Sequence, residues 1–153
     1  MHPEARLAVL GLSLPEPIPP AEHYARFRRA GNVLYLSGHG PLRADGSYML
    51  GRLATADDVP VGREAARLVA LQMLATVKHA LGDLDHVQAV LKVFGMVHAT
   101  PDFIDHPQVI NGFSEMMTTA FAEAGIHARS AVGMASLPRG MMVEVEAVML
   151  VRA

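Results

Sequence analysis

The chain contains no cysteine and no tryptophan in its 153 residues. Without thiols it can form no disulfide, run no thiolate catalysis and build no cysteine-ligated zinc site. Strong charge of one sign is missing too, since the formal net charge is −2. Such a balance offers no basic stripe for a phosphate backbone, so nucleic acid is not an expected partner. The local run Arg26, Arg28 and Arg29 is short and reads as solvated positions on a strand and turn. No apolar stretch approaches the ~20 residues of a membrane-crossing helix. The start, Met1-His2-Pro3-Glu4, lacks the segments of a secretory signal. A cytoplasmic location, away from membranes, is the expectation. P-loop, nucleophile-elbow and dinucleotide fingerprints are also lacking.

What is present is apolar. Hydrophobic residues make up 51% of the chain, and mean hydropathy is +0.25. A chain of this length fits one domain and can bury roughly 70% of its unfolded surface. The apolar excess then points to subunit interfaces. Ten methionines suit irregular gaps in a core or interface.

Residues 3–11 read as a short helix with Pro3 in its first turn and Gly11 as its stop. Four prolines between Pro15 and Pro20 forbid a helix or central strand and imply an extended arm. Residues 1–20 are thus an appendage to a core over 21–153. A weakly alternating segment, His23–Arg28, turns at Ala30-Gly31-Asn32 into the strand Val33–Ser37. Asp45-Gly46 is a hairpin-type turn signal. Residues 61–81 carry Ala66, Val69, Ala70, Met73 and Val77 at helical spacing. Pro107–Ala124 repeats the pattern with Val109, Phe113, Met116, Met117 and Ala120. Between these helices His86–His98 reads as a long strand, and Ser130–Met134 and Met142–Val151 as the last two. Helices set between strands predict an α+β domain, a mixed sheet with two helices on one face.

The last strand is the most informative. Val143, Val145, Ala147, Met149 and Val151 point one way and suit the helices. Glu144, Glu146, Val148 and Leu150 point the other. Two carboxylates among large apolar residues suit neither bulk water nor a dry core. An oligomer interface holding a polar pocket accommodates both.

Several side chains are candidates for chemistry. Arg129, before a strand, is either a surface arginine or a bidentate clamp for a carboxylate. Glu144 and Glu146 share one strand face, as an acid/base pair or as salt-bridged interface residues. His39 stands between Gly38 and Gly40 at a strand end, with a structural or a site role. His98, Asp102, Asp105 and His106 flank Pro101 without a helical ligand spacing. They read as a solvated loop before the second long helix, where Asp105 can cap. No metal and no organic cofactor is expected.

The segment Ala128-Arg129-Ser130-Ala131-Val132, then Leu137-Pro138, then Val143-Glu144-Val145-Glu146-Ala147, resembles the signature of the Rid (reactive intermediate deaminase, YjgF-like) family. Gly31-Asn32 with Leu36-Ser37-Gly38 resembles that family's first hairpin, with Tyr24 ahead of it and Asn111 in the second long helix. The resemblance implies a chorismate-mutase-like fold, a homotrimer around a barrel-like centre, and sites in the clefts between neighbours. It implies hydrolysis of 2-imino or enamino acids to 2-keto acids and ammonia. By the same resemblance Arg129 binds the substrate carboxylate and Glu144 orients or activates water. Tyr24, Ser37, Gly38, His39, Asn111 and Ala131 surround the substrate. Ala131 replaces a cysteine common in the family, and His39 a common glutamine. The partner is then a small carboxylate-bearing molecule, and the site needs a guanidinium and a carboxyl from adjoining strands to meet in an inter-chain crevice. Two other functions stay open: a non-catalytic sensor of small carboxylates, which needs Arg129 but not Glu144, and an RNA-cleaving protein.

Overall fold

A computed structural model describes all residues, Met1–Ala153. Its elements in order are α1 (Pro3–Val9), β1 (Phe27–Ala30), β2 (Val33–His39), α2 (Val59–Leu81), β3 (Val87–His98), α3 (His106–Phe121), β4 (Ala128–Met134) and β5 (Val143–Val151). The strands form one sheet in the order β1-β2-β5-β3-β4. All neighbours are antiparallel except β3 and β4, which run parallel and are joined through α3. The mixed sheet backed by helices is as expected. No helix is long and apolar enough to cross a membrane.

The two long helices lie where their apolar stripes require. Val69, Ala70, Met73 and Val77 of α2 are fully buried, as are Val109, Phe113 and Met117 of α3. They meet the inward set of β5, in which Val143, Val145, Met149 and Val151 are each 0% exposed. On the other side of that strand Glu146 is exposed, and Glu144, Val148 and Leu150 are partly buried. The alternation along the last strand therefore marks the two faces correctly. No second layer covers the outer face. It presents Tyr35, which is 50% exposed, beside Val148, its register partner. Met96, Leu137 and Met141 close one end of that face as a small separate cluster.

Two details set the site. Gly112 sits inside α3 because α2 runs directly against it: a Cβ there would lie 2.1 Å from the Arg63 carbonyl oxygen. In β2, Leu36 pairs with Ala147 but His39 pairs with Val145, so three residues on one strand span two on the other. That one-residue bulge at Ser37-Gly38 reverses the alternation, as bulges do. Leu36 and His39 then both face the core, at 4% and 1% exposure.

The second half of the helix boundary prediction is slightly long. α3 stops at Phe121, and Ala122–Gly125 forms a separate 3-10 turn. Asp105 occupies the N-cap position of α3, but its side chain makes no capping hydrogen bond.

Candidate active site

Glu144 and its neighbours form one group of the expected residues, on the outer sheet face. Gly38 lies over the Glu144 side chain so closely that a Cβ would stand 2.8 Å from the carboxyl carbon. The bulge makes this approach possible, and a larger residue at 38 would displace the Glu144 side chain from where it lies. Ser37 is fixed from two sides: its Oγ donates to the Ala25 carbonyl at 2.7 Å, and its N–H donates to the Arg26 carbonyl at 2.9 Å. This ties the Tyr24–Arg26 segment to the bulge. Arg26 donates through Nη1 to the Tyr24 hydroxyl at 3.2 Å, stacks over its ring, and donates through Nε to the Pro19 carbonyl. The proline arm therefore steadies Tyr24 through Arg26. Burial, reinforced by Glu146, pushes the Glu144 carboxyl above the usual carboxylate range. A shallow depression of about 250 Å³ opens on the sheet near Glu146, lined by Tyr35, Ser37, Lys92, Phe94 and Glu146 among others but not by Glu144.

Arg129 belongs to a different place. It pairs in register with Val93, whereas Glu144 pairs with Met96. Positions 93 and 96 differ by an odd number, so the two side chains leave opposite faces of the sheet. β3 also stands between β4 and β5. The expectation of adjoining strands is corrected on both counts: within one chain the guanidinium and the carboxyl do not converge. Arg129 instead lies along α3, where Nη1 donates to Asn111 Oδ1 at 2.9 Å and to Ser114 Oγ at 3.1 Å. Ala131, two residues on, shares that face and packs against the core. Burial lowers the Arg129 pKa, yet a guanidinium stays charged at neutral pH. Its ion pairs within the chain are none, so its partners are neutral acceptors.

His39 is the second correction. Its side chain does not join either group but turns under α2. Nδ1 bonds the Ser37 carbonyl at 2.6 Å and Nε2 bonds Thr76 Oγ1 at 2.8 Å. A carbonyl accepts only from Nδ1–H, so Nδ1 carries a hydrogen; the Thr76 hydroxyl, which also reaches the Gln72 carbonyl at 3.2 Å, has one hydrogen to divide between that carbonyl and Nε2. Burial depresses its pKa, with the Ser37 bond opposing. As pH falls below about 6.5 the unfolded chain takes up a proton that the folded chain resists, so acid removes stability. His39→Gln should therefore show a smaller fall in melting temperature between pH 7.5 and 5.5 than the parent protein does. Equal falls would show that His39 carries none of the acid sensitivity.

Ser114 and His127 escaped the sequence reading. Ser114 Oγ bonds His127 Nε2 at 2.9 Å, and His127 Nδ1 bonds the Gly125 carbonyl at 2.7 Å. A signal was available in the i, i+3 spacing of Asn111 and Ser114, which puts both on one face of a helix. The loop histidine had none, because its contact depends on how the chain returns after α3. Of the four residues read as a solvated loop, His98 ends β3 and His106 opens α3, where it packs edge-on against Phe103 at 5.3 Å.

The arrangement thus offers a guanidinium bonded only to neutral acceptors and a carboxyl of raised pKa, on opposite faces of the sheet. Residues 4–148 match the YjgF/chorismate mutase-like family model, which also bears an endoribonuclease label. The protein TCP17 of Trypanosoma cruzi is 41% identical over 144 residues, covering 94% of this chain and 90% of that one. The crystal structure of Atu1372 from Agrobacterium tumefaciens, whose function is unknown, superposes with a TM-score of 0.89 at 40% identity. It covers 99% of this chain and 92% of its own. A structure named RidA from a Psychrobacter species shares the fold at a TM-score of 0.60 and 23% identity, covering 89% and 94%. With one family matched across nearly its whole length, the chain belongs to the YjgF-like Rid family.

Proposed function

We propose that the protein hydrolyses small 2-imino or enamino acids to 2-keto acids and ammonia, in clefts formed between three copies of the chain. The observation that carries this reading is Arg129: a partly buried guanidinium bonded only to neutral acceptors, with no carboxylate of its own chain. A charged group so placed is completed by an anionic ligand, and the planar fork matches a carboxylate. Membership of the family supports the reaction class, and the mixed apolar and acidic character of the outer face supports its use as a subunit interface.

The chemistry asks little of the protein. An iminium carbon is already electrophilic. Arg129 of one subunit holds the carboxylate, and Glu144 of a neighbour places a water against that carbon. Glu144 takes one proton from the water as the new C–O bond forms. Returned to the nitrogen, that proton makes it an ammonium leaving group; as the C–N bond breaks and the C=O bond forms, the remaining hydroxyl proton passes to Glu144 and from there to solvent. A carboxyl whose pKa is raised by burial suits both transfers near neutral pH. Substrate and water together account for every atom of keto acid and ammonia. Metal and cofactor take no part in the scheme.

Because the half-sites lie on opposite faces, complementation between subunits tests the reading. Arg129→Ala and Glu144→Gln proteins, each alone, should lose about 100-fold or more in ammonia release from an imine generated in situ. Unfolded and refolded together, they should regain activity, since about a quarter of the clefts in random mixtures pair an intact Arg129 with an intact Glu144. Sedimentation of the mixture should give the mass of a trimer. Mixed samples as inactive as their parents would defeat the shared cleft. If wild-type protein bound 2-keto acids without turning over imines, it would be a sensor of small carboxylates.

A further inference from the structure

Arg129 does not hold its position alone. A chain of hydrogen bonds runs from the backbone of Gly125 through His127 and Ser114 to the guanidinium. Its anchor is rigid: Gly125 is buried, and a Cβ there would lie 2.2 Å from the Met117 carbonyl oxygen. The polarity of the chain follows from chemistry. The Gly125 carbonyl can only accept, so His127 Nδ1 carries the hydrogen. In a neutral ring Nε2 is then an acceptor, and the Ser114 hydroxyl must donate to it. That leaves the Ser114 lone pairs facing Arg129 Nη1, whose hydrogen it accepts. Burial, opposed by the Gly125 bond and aided by the Arg129 charge, holds the His127 pKa below its ordinary value. The neutral ring required by this order is the form that prevails at neutral pH.

The guanidinium is thereby used unevenly. Both hydrogens of Nη1 are taken, one by Asn111 and one by Ser114. Nη2 makes one long contact, 3.5 Å to the Pro107 carbonyl. Nε makes no hydrogen bond within the chain. The remaining Nε/Nη2 edge is a side-on fork that accepts a carboxylate bidentately.

We infer that Ser114 and His127 are positioning residues of the anion clamp, a directed relay that ties Nη1 to α3 and leaves the Nε/Nη2 edge of Arg129 for the carboxylate of a 2-keto or 2-imino acid. This inference rests on the carboxylate-binding reading of Arg129, and the two fail separately. Ser114→Ala removes an acceptor from Nη1 and frees the guanidinium to swing. His127→Leu removes the acceptor that orients the hydroxyl. Ser114→Thr keeps the hydroxyl and the relay.

Calorimetric titration with pyruvate tests it, together with ¹⁵N NMR of the imidazole rings. Pyruvate affinity should fall about tenfold in Ser114→Ala and His127→Leu, the loss of one charge-assisted hydrogen bond. Ser114→Thr should bind within about twofold of wild type, and kcat should change less than KM for any imine turned over. In the wild-type protein His127 should be the Nδ1–H tautomer at pH 7, and Ser114→Ala should weaken that preference. If Arg129→Ala abolishes pyruvate binding while Ser114→Ala and His127→Leu bind normally, the relay is wrong and the clamp stands. If Arg129→Ala binds pyruvate as wild type does, the clamp itself falls. An Nε2–H tautomer in unmodified protein overturns the relay with no substitution at all.

Discussion

Arg129→Ala is expected to lower kcat/KM for 2-imino acids by about 100- to 1000-fold while leaving the fold intact. The size follows from what the side chain does. Truncating one partner of a desolvated, hydrogen-bonded charge pair costs ~3–4 kcal/mol, and each ~1.4 kcal/mol is a factor of ten. The fold survives because Arg129 lies at the edge strand β4 and only partly buried, with no ion pair inside the chain to orphan. Its loss leaves Asn111 and Ser114 without a donor, but both are only partly buried and can turn to water. Arg129→Lys is the informative companion. It keeps the charge but not the fork, so it should recover only part of the loss. Steady-state rates and circular dichroism on both proteins check this. An Arg129→Ala enzyme within a few-fold of wild type, still folded, would remove the residue from the mechanism.

The largest effect on stability is expected from the smallest possible change, Gly112→Ala. Its added methyl would sit 2.1 Å from the Arg63 carbonyl oxygen of α2. A backbone atom cannot rotate aside, so the two helices must part. Overpacking of this kind costs ~3 kcal/mol, offset by the ~1 kcal/mol that alanine gains over glycine inside a helix. For a domain of this size the net of ~2 kcal/mol lowers the melting temperature by about 4–8 °C. The separation also shifts Asn111 and Ser114, which flank Gly112 on α3 and bond Arg129. Carboxylate affinity should therefore fall along with stability. Scanning calorimetry and pyruvate titration measure the two effects. A variant melting within 2 °C of wild type would mean that α2 and α3 do not approach as closely as described.

Arg129 and Glu144 show where local pattern stops being informative. Each was identifiable from its motif; Glu144 sits on the strand expected of it, whereas Arg129, read as lying just before a strand, is the second residue of β4. Their relation was not, because it depends on strand order. β3 inserts between β4 and β5 although β4 and β5 follow each other in the chain. An alternation rule assigns faces within a strand, but the relative phase of two strands comes from their register with a third. His39 failed for a related reason. Counting outward from Leu34 and Leu36, position 39 belongs on the outer face with Tyr35 and Ser37. The bulge at Ser37-Gly38 adds one residue and sends it inward. Its signal in the sequence, one glycine in a strand, does not say which residue is extra.

The amino-acid order by itself determined the element types, the apolar stripes of α2 and α3, and the two faces of β5. Those follow from periods of 3.6 and 2, which are properties of the local backbone and need no partner. It also determined, through its motifs, the family and the residues worth watching. Only the tertiary structure decided that Arg129 and Glu144 diverge, that His39 belongs to the core, and that Ser114 and His127 stand behind the guanidinium. Each of those depends on register, bulge or close helix approach, where segments distant in sequence must fit together. The fit is set by contacts between side chains and backbone that no single stretch of the chain contains.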